Sequence, residues 1–419
     1  MSRPSGSAAN TRHPLPREGG RGGGGLNVFY AWEFGANLGH IGAFLPLARA
    51  LRDRGHAVHW AVASSTSAAR LLDAEGFAWL QAPTCPEQAR PGPPLTYADI
   101  LLRFGYASSS DLLGLTVAWR ELMRLSGAQV VLTDHAPTAL LAARTLGLPT
   151  MLFSSGFCVP PPQSPTPNMR PWAPLPVEQL AAIERPALAS VNAVLKRFGK
   201  PPLAGLARLF DVTEDTLLGF PELDHYPERG PARYWGNLPD AGVGEPAPWP
   251  VVPGKRLFAY LRAECRHHEA ALAALNALGQ PTVVFFPGAP AELVARFTAP
   301  HLTFVQTPID LARTGREADA AVTYASLSTT TRFLLAGKPV LLLPGHLEQF
   351  MLARRVEQMG AGLLVDPEQA ATDLPQRLHK VVFDPFFSGS ALAFARKYAA
   401  FPQEVVIANL VRRIEELAQ

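Results

Sequence analysis

The stretch AAVTYASLSTTTRFLLAGKPVLLLPGHLEQ, residues 320–349, decides how this chain folds. An apolar strand runs into Ser326, Ser328, Thr329, Thr330 and Thr331. A short apolar segment, the turn Gly337-Lys338-Pro339, a second apolar strand and then Glu348-Gln349 follow. The pattern predicts strand, helix, strand, with the hydroxyls at the point where the first strand hands over to the helix. A helix opening there presents free backbone N–H groups and the positive end of its dipole, which bind phosphate without a lysine. Ser and Thr are also favoured N-caps, so capping alone explains any one of them. The spacing of the surrounding residues has to decide.

The rhythm extends in both directions. Toward the amino terminus of this half, residues 256–263, 281–288 and 302–307 predict strands, and residues 267–279 a helix. A helix over 348–360 follows the quoted stretch. In the first half, 26–32 is a short apolar strand, and 41–55 a helix with Leu45, Ala48 and Leu51 on one face. Residues 56–63 then predict a strand and 64–76 a helix ended by Gly76. Strand, helix and strand are repeated over 128–137, 138–147 and 148–155. Alternating β and α elements of this kind build doubly wound parallel sheets.

Between the halves lie two Pro-rich segments. Residues 158–179 cannot sustain a helix or sheet interior, and a loop of that length serves a site or acts as a lid. The Pro and Gly density after Trp235 marks a linker over 238–253. The expected organisation is a disordered tail over 1–25, a first domain over 26–237, the linker 238–253, and a second domain over 254–385. A helical segment over 386–419 is expected to pack back toward the first domain. Ligands of such sheets sit at the carboxyl ends of the strands, here facing a cleft between the domains.

Composition narrows the function classes. At 419 residues, with 47% hydrophobic and 17% charged side chains, the chain suits two buried cores of roughly 150 to 200 residues each. The formal charge of +3 is matched by the tail, where Arg3, Arg12, Arg17 and Arg21 face only Glu18. A general nucleic-acid surface is therefore not expected. Cys85, Cys158 and Cys265 lack any paired spacing, which fits a reducing cytoplasm and argues against a zinc site or a disulfide framework. His267-His268 has no further ligands nearby, and no metal is expected. No apolar run approaches the roughly 18 residues of a membrane span, and the first 25 residues lack the apolar core of a secretory signal. Peripheral contact with a membrane stays open.

Residues 302–366 resemble the donor-binding half of the GT-B glycosyltransferases that use nucleotide-activated sugars, the bacterial relatives of the UDP-glycosyltransferases. That pattern reads H-G-G-x-G-T-T-x-E-A-L-x-x-G-V-P, then an apolar strand, Pro, and an acidic residue with Gln. Aligned on Gly337-Lys338-Pro339, this chain supplies Tyr324 for the His that contacts the diphosphate and Ala325-Ser326 for Gly-Gly. Ser328, Thr329 and Thr330 follow, and Arg332 replaces the acidic residue that meets the ribose. Glu348-Gln349 falls where the resemblance implies contacts to sugar hydroxyls. The base-stacking aromatic has no counterpart at Gln306-Thr307-Pro308.

The first half carries a second match. GHIGAFLPLARALRDRGHAV, residues 39–58, resembles that family's first loop and helix, with Gly39 as the loop glycine and Ala43 in place of a common Pro. The resemblance implies that His40 is the general base that deprotonates an acceptor hydroxyl, a task suited to a pKa near neutral. Asp134, at the end of a strand, is implied as the carboxylate that orients it. A helix-start packing histidine and a turn aspartate are the plainer readings of these two residues. His135 competes with His40 for the carboxylate, whereas His56 and His59 flank a strand and read as structural.

Taken together, the sequence predicts an α/β chain of GT-B type, two Rossmann-like domains facing a cleft. The expected activity is a metal-independent, inverting glycosyltransferase. It would move a sugar from a UDP- or dTDP-type nucleotide-sugar, a co-substrate rather than a cofactor, to a hydroxyl of a small-molecule, lipid or glycan acceptor. Phe157 and Trp172 are expected to shape an apolar acceptor pocket. A non-catalytic relative that binds nucleotide or glycan is the rival class, supported by Tyr324, Ser326 and Arg332. A nucleotide-sugar epimerase of the same fold is a third.

Overall fold

The structure, a computed structural model, describes residues 24–35, 39–239, 244–369 and 371–419. Most of the expected tail, and residues 240–243 of the expected linker, lie outside the described residues.

The first half contains β1 (Asn27–Trp32), α1 (Gly39–Asp53), β2 (Ala57–Val62), α2 (Ser65–Ala74), β3 (Trp79–Gln81), α3 (Tyr97–Leu102), α4 (Ser109–Leu125), β4 (Val130–Asp134), α5 (Pro137–Leu146), β5 (Thr150–Leu152) and α6 (Val177–Arg197). The second contains β6 (Leu257–Tyr260), α7 (His268–Leu278), β7 (Thr282–Phe285), α8 (Ala291–Phe297), β8 (Leu302–Val305), α9 (Leu311–Glu317), β9 (Ala320–Thr323), α10 (Leu327–Leu335), β10 (Val340–Leu342), α11 (Leu347–Gln358) and β11 (Gly362–Leu364). It closes on α12 (Leu374–Phe383), α13 (Pro385–Lys397) and α14 (Val406–Leu417).

Two parallel sheets result, ordered β3-β2-β1-β4-β5 and β11-β10-β9-β6-β7-β8. In each, the strand order reverses beside the first strand, between β1 and β4 and between β6 and β9. At such a point the connections diverge to opposite faces and leave a crevice at the carboxyl ends. Register brings Trp32 opposite Asp134 in one sheet and Tyr260 opposite Thr323 in the other.

Both faces of each sheet are covered, as the strands' continuous apolar runs require. Val28, Tyr30 and Trp32 join the α1 core with Leu45, Ala48 and Leu51. Phe29 and Ala31 point the other way, onto Trp119, Met123 and the alanines of α5. The second sheet repeats this, with Phe258 on one face and Leu257 and Ala259 on the other.

The segment 386–419 divides its packing. Ala391 and Phe394 of α13 stay on the core shared with α10. Val406, Leu410, Val411 and Ile414 of α14 bury against α1 instead. Charge fixes that return: Glu415 pairs with Arg54 at 3.0 Å and His56 at 2.9 Å, and Arg413 with buried Glu214 at 2.6 Å. His56 is thus structural, and His59 bonds Asn27 at 3.2 Å. Phe220 and Leu223, inside the range expected for the first domain, pack into the core of the second.

The Pro-rich loop is tethered. Glu184 of α6, buried, accepts from the Ser164 hydroxyl at 2.9 Å and from the backbone N–H groups of Thr166 at 2.5 Å and Leu206 at 3.1 Å. Met169 of that loop is fully buried. Its Trp172 crosses to α11, packing edge-on against Phe350 at 4.9 Å beneath Arg354 at 5.0 Å.

Candidate active site

His40 lies in the first turn of α1, directly after β1, and Asp134 ends the neighbouring strand. Nδ1 of His40 is 2.8 Å from Oδ2 of Asp134. The same oxygen accepts from the Tyr30 hydroxyl at 2.8 Å, and that hydroxyl lies 3.2 Å from the His40 carbonyl oxygen. Trp32 stacks on the imidazole, centroids 5.2 Å apart and planes 21° from parallel, with its own N–H held by the Phe34 carbonyl. The ring is therefore fixed on one side by a carboxylate and on one face by indole. Nε2 has no protein partner among the described residues, and 24% of the side chain remains exposed.

Burial disfavours the charged imidazole, but Asp134, by charge and hydrogen bond, and Glu348 outweigh it and raise the His40 pKa. A neutral His40 with Nδ1–H toward Asp134 presents Nε2 as a proton acceptor.

The expected loop glycine is corrected. Gly39 is a helical residue with open space about it and no positive φ. The glycine that the site needs is Gly35, with φ +93°, where an added Cβ would lie 3.0 Å from His40 Nε2.

His135 does not take the carboxylate. Its backbone is left-handed, φ 47°, and its N–H donates to Ser154 Oγ at 3.0 Å. Its ring meets Phe34 and Phe157 edge-on, and burial pushes its pKa down to about 4. His225 is buried on the other side of Phe157, with neither ring nitrogen bonded among the described residues, and burial lowers its pKa too. Beneath them Glu33, at the end of β1, accepts from the first-turn N–H of Thr138 at 2.8 Å. Burial pushes its carboxyl up to about 8. Sequence patterning singled out neither Glu33 nor His225.

The second sheet supplies α10. Its first helical bond runs from Thr330 N–H to Ser326, and no side chain among the described residues caps the N–H groups before it. Ala325, where the resembling pattern has glycine, adopts φ +62°. That left-handed conformation costs an L-residue about 1–2 kcal/mol. The hydroxyls do not all line the helix start. Ser328 is exposed, whereas Thr329, Thr330 and Thr331 turn inward and are buried. The expectation of donors at Thr329 and Thr330 is corrected accordingly.

One NH₂ group of Arg332 donates to the Leu238 carbonyl at 2.9 Å and so ties α10 to the linker. Tyr324 stands edge-on to Tyr260 at 4.8 Å, with Arg262 over its ring at 5.4 Å. Gln349 is buried and accepts from the Gly345 N–H at 2.8 Å. Glu348, half-buried, has no hydrogen-bonding partner among the described residues, yet its charge acts on His40, His135 and His225. The start of α11 therefore faces the imidazoles of the first sheet across the gap.

No group of three or more metal-binding side chains occurs among the described residues. No helix among them is long and apolar enough to cross a membrane.

No protein-family profile matches the chain. It is 24% identical over 397 residues to a PGL/p-HBAD biosynthesis glycosyltransferase of Mycobacterium tuberculosis, covering 88% of this chain and 89% of that one. Among solved structures, glycosyltransferase VinC in complex with DTDP superposes with a TM-score of 0.64 at 20% identity, over 93% of this chain and 99% of that one. The spinosyn rhamnosyltransferase SpnG complexed with spinosyn aglycone gives 0.65 at 20% identity, with the same coverage. Two parallel sheets with facing carboxyl ends, and likeness in sequence along most of the chain to a named glycosyltransferase, make this chain a glycosyltransferase of the GT-B fold.

Proposed function

We propose that the chain transfers a sugar from a UDP- or dTDP-type nucleotide-sugar to a hydroxyl of a small-molecule, lipid or glycan acceptor, by inversion and without a metal or other cofactor. In this reading His40 Nε2 takes the proton as the acceptor oxygen attacks the anomeric carbon. The bond from that carbon to the diphosphate breaks, and the leaving group carries its electron pair. Asp134 stabilises the imidazolium. The free N–H groups and dipole at the start of α10, with the Ser328 hydroxyl, meet the charge on the departing diphosphate. Glu348 and Gln349 hold the sugar. The first domain, with Phe157 and Trp172, takes the acceptor, and the second takes the donor. The setting is the cytoplasm.

One observation carries this reading: Nδ1 of His40 bonded to Asp134 at 2.8 Å with Nε2 left open. The DTDP complex of VinC supports the donor class. A non-catalytic binder would have no use for a carboxylate-oriented imidazole in the gap.

The test is a panel of UDP- and dTDP-sugars offered with hydroxylated acceptors, followed by nucleoside diphosphate release and proton NMR of the product. Release with inverted anomeric configuration is expected. Retained configuration, or dependence on an added divalent cation, contradicts the mechanism, and binding without release favours the non-catalytic relative.

A further inference from the structure

We propose that Arg262 is the cation that grips the donor's diphosphate in this chain, an inference that rests on the nucleotide-sugar reading above. Arg262 follows β6, and Tyr324 follows β9. These strands are neighbours, with Tyr260 opposite Thr323, and the strand order of the second sheet reverses between them. Both residues therefore stand at the lip of the crevice that this topology opens, and Tyr324 precedes by three residues the start of α10 at Leu327.

The guanidinium is held in place yet left open for a ligand. Its central carbon lies 5.4 Å from the Tyr324 ring centroid, and Tyr324 is in turn braced edge-on by Tyr260 at 4.8 Å and 84°. Cation–π contact fixes the plane of the group without using its N–H donors. The nearest carboxylate, Glu264, is 3.9 Å away and itself 77% exposed, too loose a pair to occupy those donors. No other side-chain hydrogen bond of Arg262 occurs among the described residues, and 33% of the side chain is exposed. A phenol such as Tyr324 brings one O–H donor and no positive charge, and Arg332 already donates to the Leu238 carbonyl. Arg262 answers that need with a planar fork matched to two phosphate oxygens. It acts by charge and geometry. A single Arg between strand and helix has no pattern of its own in the sequence.

Calorimetric titration of the full chain with UDP and dTDP, and separately with uridine and thymidine, tests the assignment. Arg262→Ala is expected to weaken nucleoside diphosphate binding about 10- to 100-fold, as loss of charge-assisted bonds implies, and to leave nucleoside binding and the melting temperature unchanged. Arg262→Lys should recover part of the loss, and Tyr324→Phe, which keeps the ring, should bind nearly as well as wild type. Wild-type binding that survives Arg262→Ala undiminished overturns the assignment alone. A wild-type chain that binds neither nucleoside diphosphate overturns the donor reading and the assignment together. An equal loss for nucleosides and their diphosphates would mark Arg262 as structural and also overturn it.

Discussion

His40 and Asp134 stand 94 residues apart in the chain and 2.8 Å apart in the fold. Parallel pairing of β1 with β4 closes that separation, because it sets Trp32 opposite Asp134 at the carboxyl edge from which α1 departs. The pair controls the protonation of the imidazole. In Asp134→Asn the larger part of the upward pull on the His40 pKa is removed, while burial, which lowers it, and the weaker pull of Glu348 remain. The acidic limb of kcat/KM should therefore move to lower pH, and the plateau should fall about 100-fold or more. A pH–rate profile superimposable on that of the wild type would contradict the role given to Asp134.

Gly35 closes against the other nitrogen. An added Cβ there would sit 3.0 Å from His40 Nε2 on a backbone at φ +93°. Gly35→Ala is expected to lower kcat about tenfold or more by shifting the ring, and to cost about 1–2 kcal/mol of stability. Nucleoside diphosphate affinity should not change. Steady-state kinetics, calorimetry and thermal melting of the same sample check all three.

Glu33 makes the fold sensitive to pH. A carboxyl raised from 4.5 to about 8 binds its proton more tightly in the folded chain than in the unfolded one. The charged form therefore costs stability fully above about pH 8, and the cost fades as pH falls toward 4.5. The slope per group cannot exceed about 1.4 kcal/mol per pH unit. Glu33→Gln keeps an acceptor for the Thr138 N–H and should raise the melting temperature more at pH 8 than at pH 5. An equal change at both pH values would refute the buried-charge account.

The last helix is structural for the first sheet. Ile414 and Leu410 are fully buried against α1. Ile414→Ala should lower the unfolding free energy by about 2–5 kcal/mol in chemical denaturation. A loss below about 0.5 kcal/mol, the usual size for a surface change, would show that α14 does not hold its place in solution.

Much of this was legible from residue patterns. The strands of both sheets are apolar runs bounded by turn residues, and the hydroxyl run after β9 marks the start of α10. Side-chain direction was harder to read. Thr329 and Thr330 look like site residues in the sequence, yet in the helix that begins at Leu327 both are buried. Gly39 stood out in its motif, while Gly35 needed a knowledge of where His40 points. Arg332 found its partner in Leu238, on a linker whose path no local pattern encodes. Residues 97–125 carried a usable signal, since Ser108 caps α4 by accepting from the Asp111 N–H, and yet its helical face is interrupted by Gly114 and Thr116. Glu33, His225 and Arg262 are isolated in sequence and gain their surroundings only when the strands align.

The most direct test of His40 as the proton acceptor pairs two readings on one variant. In His40→Ala, calorimetry should show nucleoside diphosphate bound as tightly as by the wild type, while sugar transfer from the preferred nucleotide-sugar falls about 100-fold or more. Transfer at an equal rate in both proteins, or in neither while both bind the nucleotide, would contradict the account.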